Sequence, residues 1–163
     1  MKPSTFFLLF SILCIVLLNG CTPKSAEPEG PFLSCKIDGI DYSVTGAYSY
    51  ATTFSDRIGI YGVREVSSNK TDSRTFYIIL AKDKGVGKHT LTEGGKDHGN
   101  WIVGSGTTDN EKFFTYNKGG GGYVEITRLT ATEAEGTFAF TAATFKGDKK
   151  VTVSDGKFRV VFR

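Results

Sequence analysis

From Phe32 to the last residue the chain contains no proline, yet this stretch carries all of its 20 glycines except Gly20 and Gly30. Between the glycines lie short runs in which apolar and polar residues alternate, rich in Val, Ile, Thr, Tyr and Phe. A period of two puts one face of a strand in a core, and these residue types favour strands. No window has the apolar spacing of an amphipathic helix. The pattern therefore predicts an all-β domain.

Two Asp-Gly pairs and one aromatic stripe add detail to this prediction. Asp38-Gly39 separates two alternating runs and predicts a type I′ hairpin, whose two central residues need positive φ. Asp155-Gly156 stands in a similar setting and predicts a second, closing hairpin. Tyr48, Tyr50 and Phe54 form a stripe that we expect to face the core.

About ten short strands joined by short loops favour an antiparallel β-sandwich over a parallel sheet, which needs long crossovers. A closed, lipocalin-like barrel is the alternative, because sequence does not show whether the sheet edges meet. The length of residues 32–163 suits one domain.

The first twenty residues have the features of an export signal. Met1-Lys2 is followed by an apolar run from Phe6 to Leu18, interrupted only by Ser11 and too short to span a bilayer. The run ends in Leu18-Asn19-Gly20-Cys21, which resembles the bacterial lipobox. The resemblance implies cleavage after Gly20 and acylation of Cys21. An ordinary signal peptide with a chance cysteine is the alternative.

Residues 21–31 hold three of the four prolines and no large apolar residue, and they predict an extended tether between the acylated Cys21 and the domain. We therefore expect an outer-membrane lipoprotein held to the membrane by its N-terminal lipid. The sequence leaves open whether it lies on the periplasmic face or at the cell surface.

The three cysteines leave no disulfide in this scheme. Cys14 departs with the leader, Cys21 carries lipid, and Cys35 remains alone. Cys35 alternates with Leu33 and Ile37, which predicts a buried apolar side chain rather than a reactive thiol.

The charges argue against nucleic acid as a partner. The chain has 20 basic and 17 acidic residues, a formal net charge of +3, and the two signs are interspersed. A nucleic-acid interface needs a clustered basic excess.

Several C-terminal motifs look like those of a known group of proteins. The runs Gly136-Thr137-Phe138-Ala139-Phe140 and Asp155-Gly156-Lys157-Phe158, with Cys35-Lys36-Ile37-Asp38-Gly39 near the start, resemble uncharacterised lipoproteins common in Bacteroidota. The resemblance spans roughly residues 32–162 and rests on turn glycines and core aromatics. It implies an all-β fold and carries no activity, cofactor or site residue.

The residues offer little sign of catalysis. His89 is expected at a strand start, and Asp97-His98 in a polar glycine loop. Asp97 and His98 are the candidates for a hydrolase site, but no metal-ligand spacing or nucleophile elbow accompanies them. We predict no cofactor, no metal site and no catalytic residue.

The aromatic residues are the remaining functional signal. Exposed Tyr and Trp bind sugars or proteins through a flat apolar ring and a polar group. Trp101, Tyr116 and Tyr123 lie in the glycine-rich half and are the candidate ligand-binding residues. The sequence thus favours a non-enzymatic binding module for a glycan or a protein. A hydrolase, and a structural envelope protein or enzyme inhibitor, are the alternatives.

Overall fold

The structure is a computed structural model that describes residues 27–65, 73–104 and 112–163. The predicted leader at 1–20 and the predicted acylation site at Cys21 lie outside these ranges, as does the tether up to residue 26. The described part holds one 3-10 turn, Gly46–Tyr48, and eleven strands: β1 Phe32–Ile37, β2 Ile40–Thr45, β3 Ser49–Phe54, β4 Arg57–Glu65, β5 Ser73–Ala81, β6 Gly87–Thr92, β7 His98–Val103, β8 Lys112–Phe114, β9 Gly121–Leu129, β10 Glu133–Ala143 and β11 Lys150–Phe162.

The strands form one continuous mixed sheet that folds over on itself as two layers. The first layer has the order β2-β1-β11-β10-β9-β6, and the second has the order β3-β4-β5-β7-β8. The ring centroids of Phe76 in β5 and Phe138 in β10 are 4.9 Å apart, and those of Tyr42 in β2 and Trp101 in β7 are 5.1 Å apart. The inner faces therefore pack on each other, and the predicted all-β sandwich is confirmed.

Two short seams join the layers at their corners. Strand β3 pairs with β11 through two residue pairs, and β8 pairs with β10 only through Phe114 and Ala143. Seams this short make the fold a sandwich joined at its corners rather than a lipocalin-like barrel. The β3–β11 pair is parallel, unlike the antiparallel pairing that the sequence predicted. It needs no crossover unit because the two strands lie far apart in the chain.

The core lies between the layers and consists of alternate residues of the strands, as the period of two predicted. Its largest fully buried apolar side chains are Leu33, Ile60, Phe76, Ile78, Leu80, Leu91, Val124, Ile126, Phe138, Val153 and Val160. Cys35 belongs to this core as a free cysteine, and burial raises the pKa of its thiol to about 12. Its predicted role as a buried apolar residue is confirmed.

The first Asp-Gly pair forms the predicted hairpin. Asp38 and Gly39 have φ of 51° and 82°, as a type I′ turn requires, and they connect β1 to β2 directly.

The second Asp-Gly pair does not turn the chain, so the predicted closing hairpin is wrong. Strand β11 continues through Asp155-Gly156 as a β-bulge, with register shifts against β1 and β10, the two strands that flank it there. Asp155 takes the positive φ of 53° that the bulge needs. The ring of Phe138 lies where a Cβ of residue 156 would stand, which explains the glycine at that position.

The stripe of Tyr48, Tyr50 and Phe54 faces outward, whereas the sequence predicted that it would face the core. Ser49 and Ala51 are buried, whereas Tyr48 and Phe54 are exposed and Tyr50 is half-buried on the outer face. Small residues therefore fill the inner face of β3, where the strand meets β11 at the seam.

Candidate functional site

The three aromatic residues singled out from the sequence do not share a surface. Trp101 points into the core, with 5% of its surface exposed, and its ring packs edge-on against Tyr42. Tyr123 lies on the outer face of the first layer, with the Nζ atom of Lys88 4.0 Å from its ring centroid. Tyr116 lies on the outer face of the second layer, where it packs against His98 and Phe114.

Trp101 does reach one concave surface. Together with Tyr42 and Phe113 it lines a hollow of about 280 Å³ at one end of the sandwich. This hollow contains neither Tyr116 nor Tyr123, so the structure does not bring the three residues to one cleft.

A different set of aromatic residues shares one outer face of the sandwich. Tyr50, Tyr61, Tyr77, Phe114 and Tyr116 lie side by side across the outer face of the second layer, and we call them the aromatic row. Tyr50 is paired in register with Tyr61, and Tyr61 with Tyr77. Their ring centroids are 5.1 Å and 5.8 Å apart, with nearly parallel planes. Cross-strand aromatic pairs of this kind stabilise a sheet as well as forming its surface.

The row continues beyond Tyr77 across two more strands. Tyr77 is paired with Asn100 of β7, and Asn100 is paired with Phe114 of β8. The Phe114 ring stacks on Tyr116 at 4.7 Å between centroids, and Tyr116 meets the edge of His98 at 5.2 Å. The row and Asn100 therefore cross all five strands of the layer.

Alternation along each strand explains why these side chains face outward. The neighbours of the row residues, such as Ala51 in β3, Ile60 in β4 and Phe76 in β5, are fully buried in the core. A Cβ at Gly59 would stand 2.5 Å from Cε2 of Tyr61, so the Tyr61 ring lies directly over that glycine. The glycine lets the ring lie close to the sheet.

The tyrosine side chains of the row are uncharged, and the row is flanked by Arg163 at one end and by His98 at the other. Burial raises the pKa of the Tyr61, Tyr77 and Tyr116 hydroxyls, so they remain protonated at neutral pH. The Arg163 guanidinium lies 4.6 Å from the Tyr50 ring centroid and caps one end of the row. His98 stands at the other end, and burial lowers the pKa of its imidazole, which favours the uncharged form.

Asp97 and His98 do not pair with each other as a catalytic dyad would; each is held by other groups of the protein. The Asp97 carboxylate accepts a hydrogen bond from the Ala81 amide at 2.8 Å and pairs with Arg57 at 3.3 Å. Nδ1 of His98 lies 2.7 Å from the backbone carbonyl of Lys96, not from a carboxylate. His98 is the first residue of β7 and so does not lie in the predicted glycine loop, which ends at Asp97. The predicted strand start near His89 is confirmed, since β6 begins at Gly87.

Within the described residues, no group of three His, Cys, Asp or Glu side chains could hold a metal ion. The same residues include no helix of the length and apolarity that a membrane span requires. No family model, no curated protein and no solved structure matches this chain.

Proposed function

We propose that this protein is a non-enzymatic binding module of a membrane-anchored lipoprotein, and that its aromatic row binds a neutral glycan chain. The observation that carries the proposal is the row itself, a line of five aromatic side chains on one outer face, in two stacked groups separated by Asn100. Tyrosine combines an apolar ring with a polar hydroxyl, and a sugar likewise combines apolar C–H faces with hydroxyl groups.

The polar groups of the row are free to meet such a ligand. Within the described residues, Tyr42 is the one tyrosine whose hydroxyl donates a hydrogen bond to the protein. The hydroxyls of Tyr50, Tyr61, Tyr77 and Tyr116 are left for solvent or for a ligand. A row of neutral hydroxyls favours an uncharged, polyhydroxylated chain over an anionic one.

The last tether residues lie on the side of the domain away from the row. Glu27 pairs with Lys157 and Arg159 of β11, with both N–O distances at 3.5 Å. These basic side chains alternate with the buried Phe158 and Val160, so they belong to the outer face of the first layer. A chain anchored through Cys21 would then leave the row on the opposite face, accessible to long polymers.

Affinity electrophoresis in native gels tests the proposal. The gels contain soluble xylan, hydroxyethyl cellulose, galactomannan, starch or laminarin, with polygalacturonate as the anionic comparison. We expect at least one neutral polymer to retard the protein. Tyr61→Ala should weaken that binding by about 30-fold, since a central aromatic residue contributes about 2 kcal/mol to an interface.

Tyr123→Ala is the matched control, because Tyr123 is also an outward tyrosine in mid-sheet but lies on the other layer. It should leave retardation unchanged. If no neutral polymer retards the wild-type protein, or if Tyr123→Ala weakens binding as much as Tyr61→Ala, the proposal is wrong. A stoichiometric protein complex lost with Tyr61→Ala would instead favour an inhibitor or envelope subunit.

A further inference from the structure

One residue in the line of the row, Asn100, is not aromatic, and its buried side chain makes no hydrogen bond to the described part of the protein. Asn100 lies between Tyr77 and Phe114 in the cross-strand register, and its residue is 0% exposed. Its strand neighbours Gly99 and Trp101 face the core: a Cβ at Gly99 would meet Phe140, and Trp101 packs on Tyr42. The amide of Asn100 therefore belongs to the outer face, between Tyr77 and Phe114.

Neither polar atom of this amide is satisfied by the protein. Within the described part of the chain, Oδ1 and Nδ2 of Asn100 have no hydrogen-bond partner. The other buried polar side chains of the second layer and its turns are bonded: Thr115 accepts from the Gly99 amide, and Asn117 donates to the Ala143 carbonyl. A buried amide without partners is unfavourable, and an apolar residue of similar size would fit this position better.

We infer that Asn100 is the polar recognition residue of the row and that it binds two adjacent hydroxyls of a glycan. This inference rests on the proposed function and names the chemistry that the row selects. A primary amide presents an acceptor and a donor side by side. One hydroxyl of a vicinal diol donates to Oδ1, and its neighbour accepts from Nδ2.

Tyr116 is the row residue that lies outside the strands, so we assign to its ring the movement that exposes this amide. Tyr116 follows β8 in a turn, and its ring bridges Phe114, the cross-strand partner of Asn100, and His98, two residues before Asn100 on the same face. Rotation of this ring away from the sheet opens the amide, and the arriving sugar replaces the ring as its cover.

The geometry predicts a preference between glycan linkages. In a 1,4-linked pyranose chain the 2- and 3-hydroxyls of each sugar are free and adjacent. In a 1,3-linked glucan the 3-oxygen is in the linkage, and no two free ring hydroxyls within the chain are adjacent. Because Asn100 lies inside the row, it should meet internal sugars of a bound chain, and it should hold those of 1,4-linked chains by two hydrogen bonds and those of 1,3-linked chains by one at most.

Calorimetric titration with hexasaccharides tests this inference. The probes are the 1,4-linked hexaoses of glucose, xylose and mannose and the 1,3-linked hexaose of glucose. We expect the wild-type protein to bind at least one 1,4-linked probe about tenfold or more tightly than the 1,3-linked one. Asn100→Leu should raise the thermal midpoint, because it removes the unsatisfied amide, and should abolish the linkage preference.

The outcomes separate this inference from the proposed function. Binding that is lost with Tyr61→Ala but shows no linkage preference, or a preference that survives in Asn100→Leu, would overturn the role of Asn100 and keep the row. Absence of binding to all four probes would overturn both. The wild-type linkage preference alone decides the matter if Asn100→Leu fails to fold.

Discussion

Gly59→Ala probes the packing of the aromatic row without touching the core. The new Cβ would stand 2.5 Å from Cε2 and 2.8 Å from Cζ of Tyr61. No real Cβ contact is that short, so the ring has to leave its position. All three of the nearest atoms belong to this one side chain, which means that the strand itself can stay in place.

The expected magnitude follows from two opposing contributions. Alanine is more favourable than glycine in a strand interior by about 0.5–1 kcal/mol. Displacing the Tyr61 ring weakens its stacks on Tyr50 and Tyr77, each of which contributes about 0.5–1.5 kcal/mol. Gly59→Ala should therefore lower the free energy of unfolding by up to about 2 kcal/mol in the wild-type chain.

A double-mutant cycle makes this prediction sharp, because the sign of the effect should reverse. In a Tyr61→Ala background no ring is in the way, and Gly59→Ala should then stabilise the domain by about 0.5–1 kcal/mol. Urea unfolding followed by the fluorescence of Trp101, the one tryptophan of the chain, measures all four proteins. An equal effect of Gly59→Ala in both backgrounds would refute the described contact between the ring and the glycine.

Two further predictions concern the core and its response to pH. Gly156→Ala brings a Cβ against both the ring and the carbonyl oxygen of Phe138. The free energy of unfolding should fall by about 3 kcal/mol, and the thermal midpoint by ~10 °C. An unchanged midpoint would contradict the bulge. Burial raises the pKa of Cys35 from 9.0 to about 12, so the unfolded chain loses its proton first and stability should fall as pH rises from 9 to 12. Cys35→Ala should flatten this fall in urea titrations at several pH values, and a slope equal to that of the wild type would show that the thiol is not buried.

The sequence predicted the fold class well, because alternation is a local property. Strand faces and the Asp38-Gly39 turn depend on neighbouring residues, and the structure confirms both in most of the chain. Asp155-Gly156 shows the limit of such reasoning. The same dipeptide serves a hairpin or a bulge, and the choice depends on whether strands stand on both sides of it, which only the tertiary structure decides.

The aromatic row could not be predicted for a related reason. Tyr50, Tyr61 and Tyr77 are more than ten residues apart in sequence and meet only through the register of three strands. Tyr61 and Tyr77 sit in largely apolar runs, and Tyr50 alternates with Tyr48 in a stripe expected to face the core, so single strands offer no sign that these tyrosines face outward. Position in the glycine-rich half of the chain singles out both Tyr116, which belongs to the row, and Trp101, which lies in the core.

The position of the C-terminal strand has a consequence for the order in which the molecule assembles. β11 hydrogen-bonds to β1, β3 and β10, so strands from the beginning and the end of the chain both depend on it. The ribosome makes β11 after the ten other described strands, and until then the N-terminal hairpin has no neighbour within its layer. Completion of the first layer therefore depends on pairing between the two ends of the domain, a contact of high sequence separation that forms slowly compared with local hairpins.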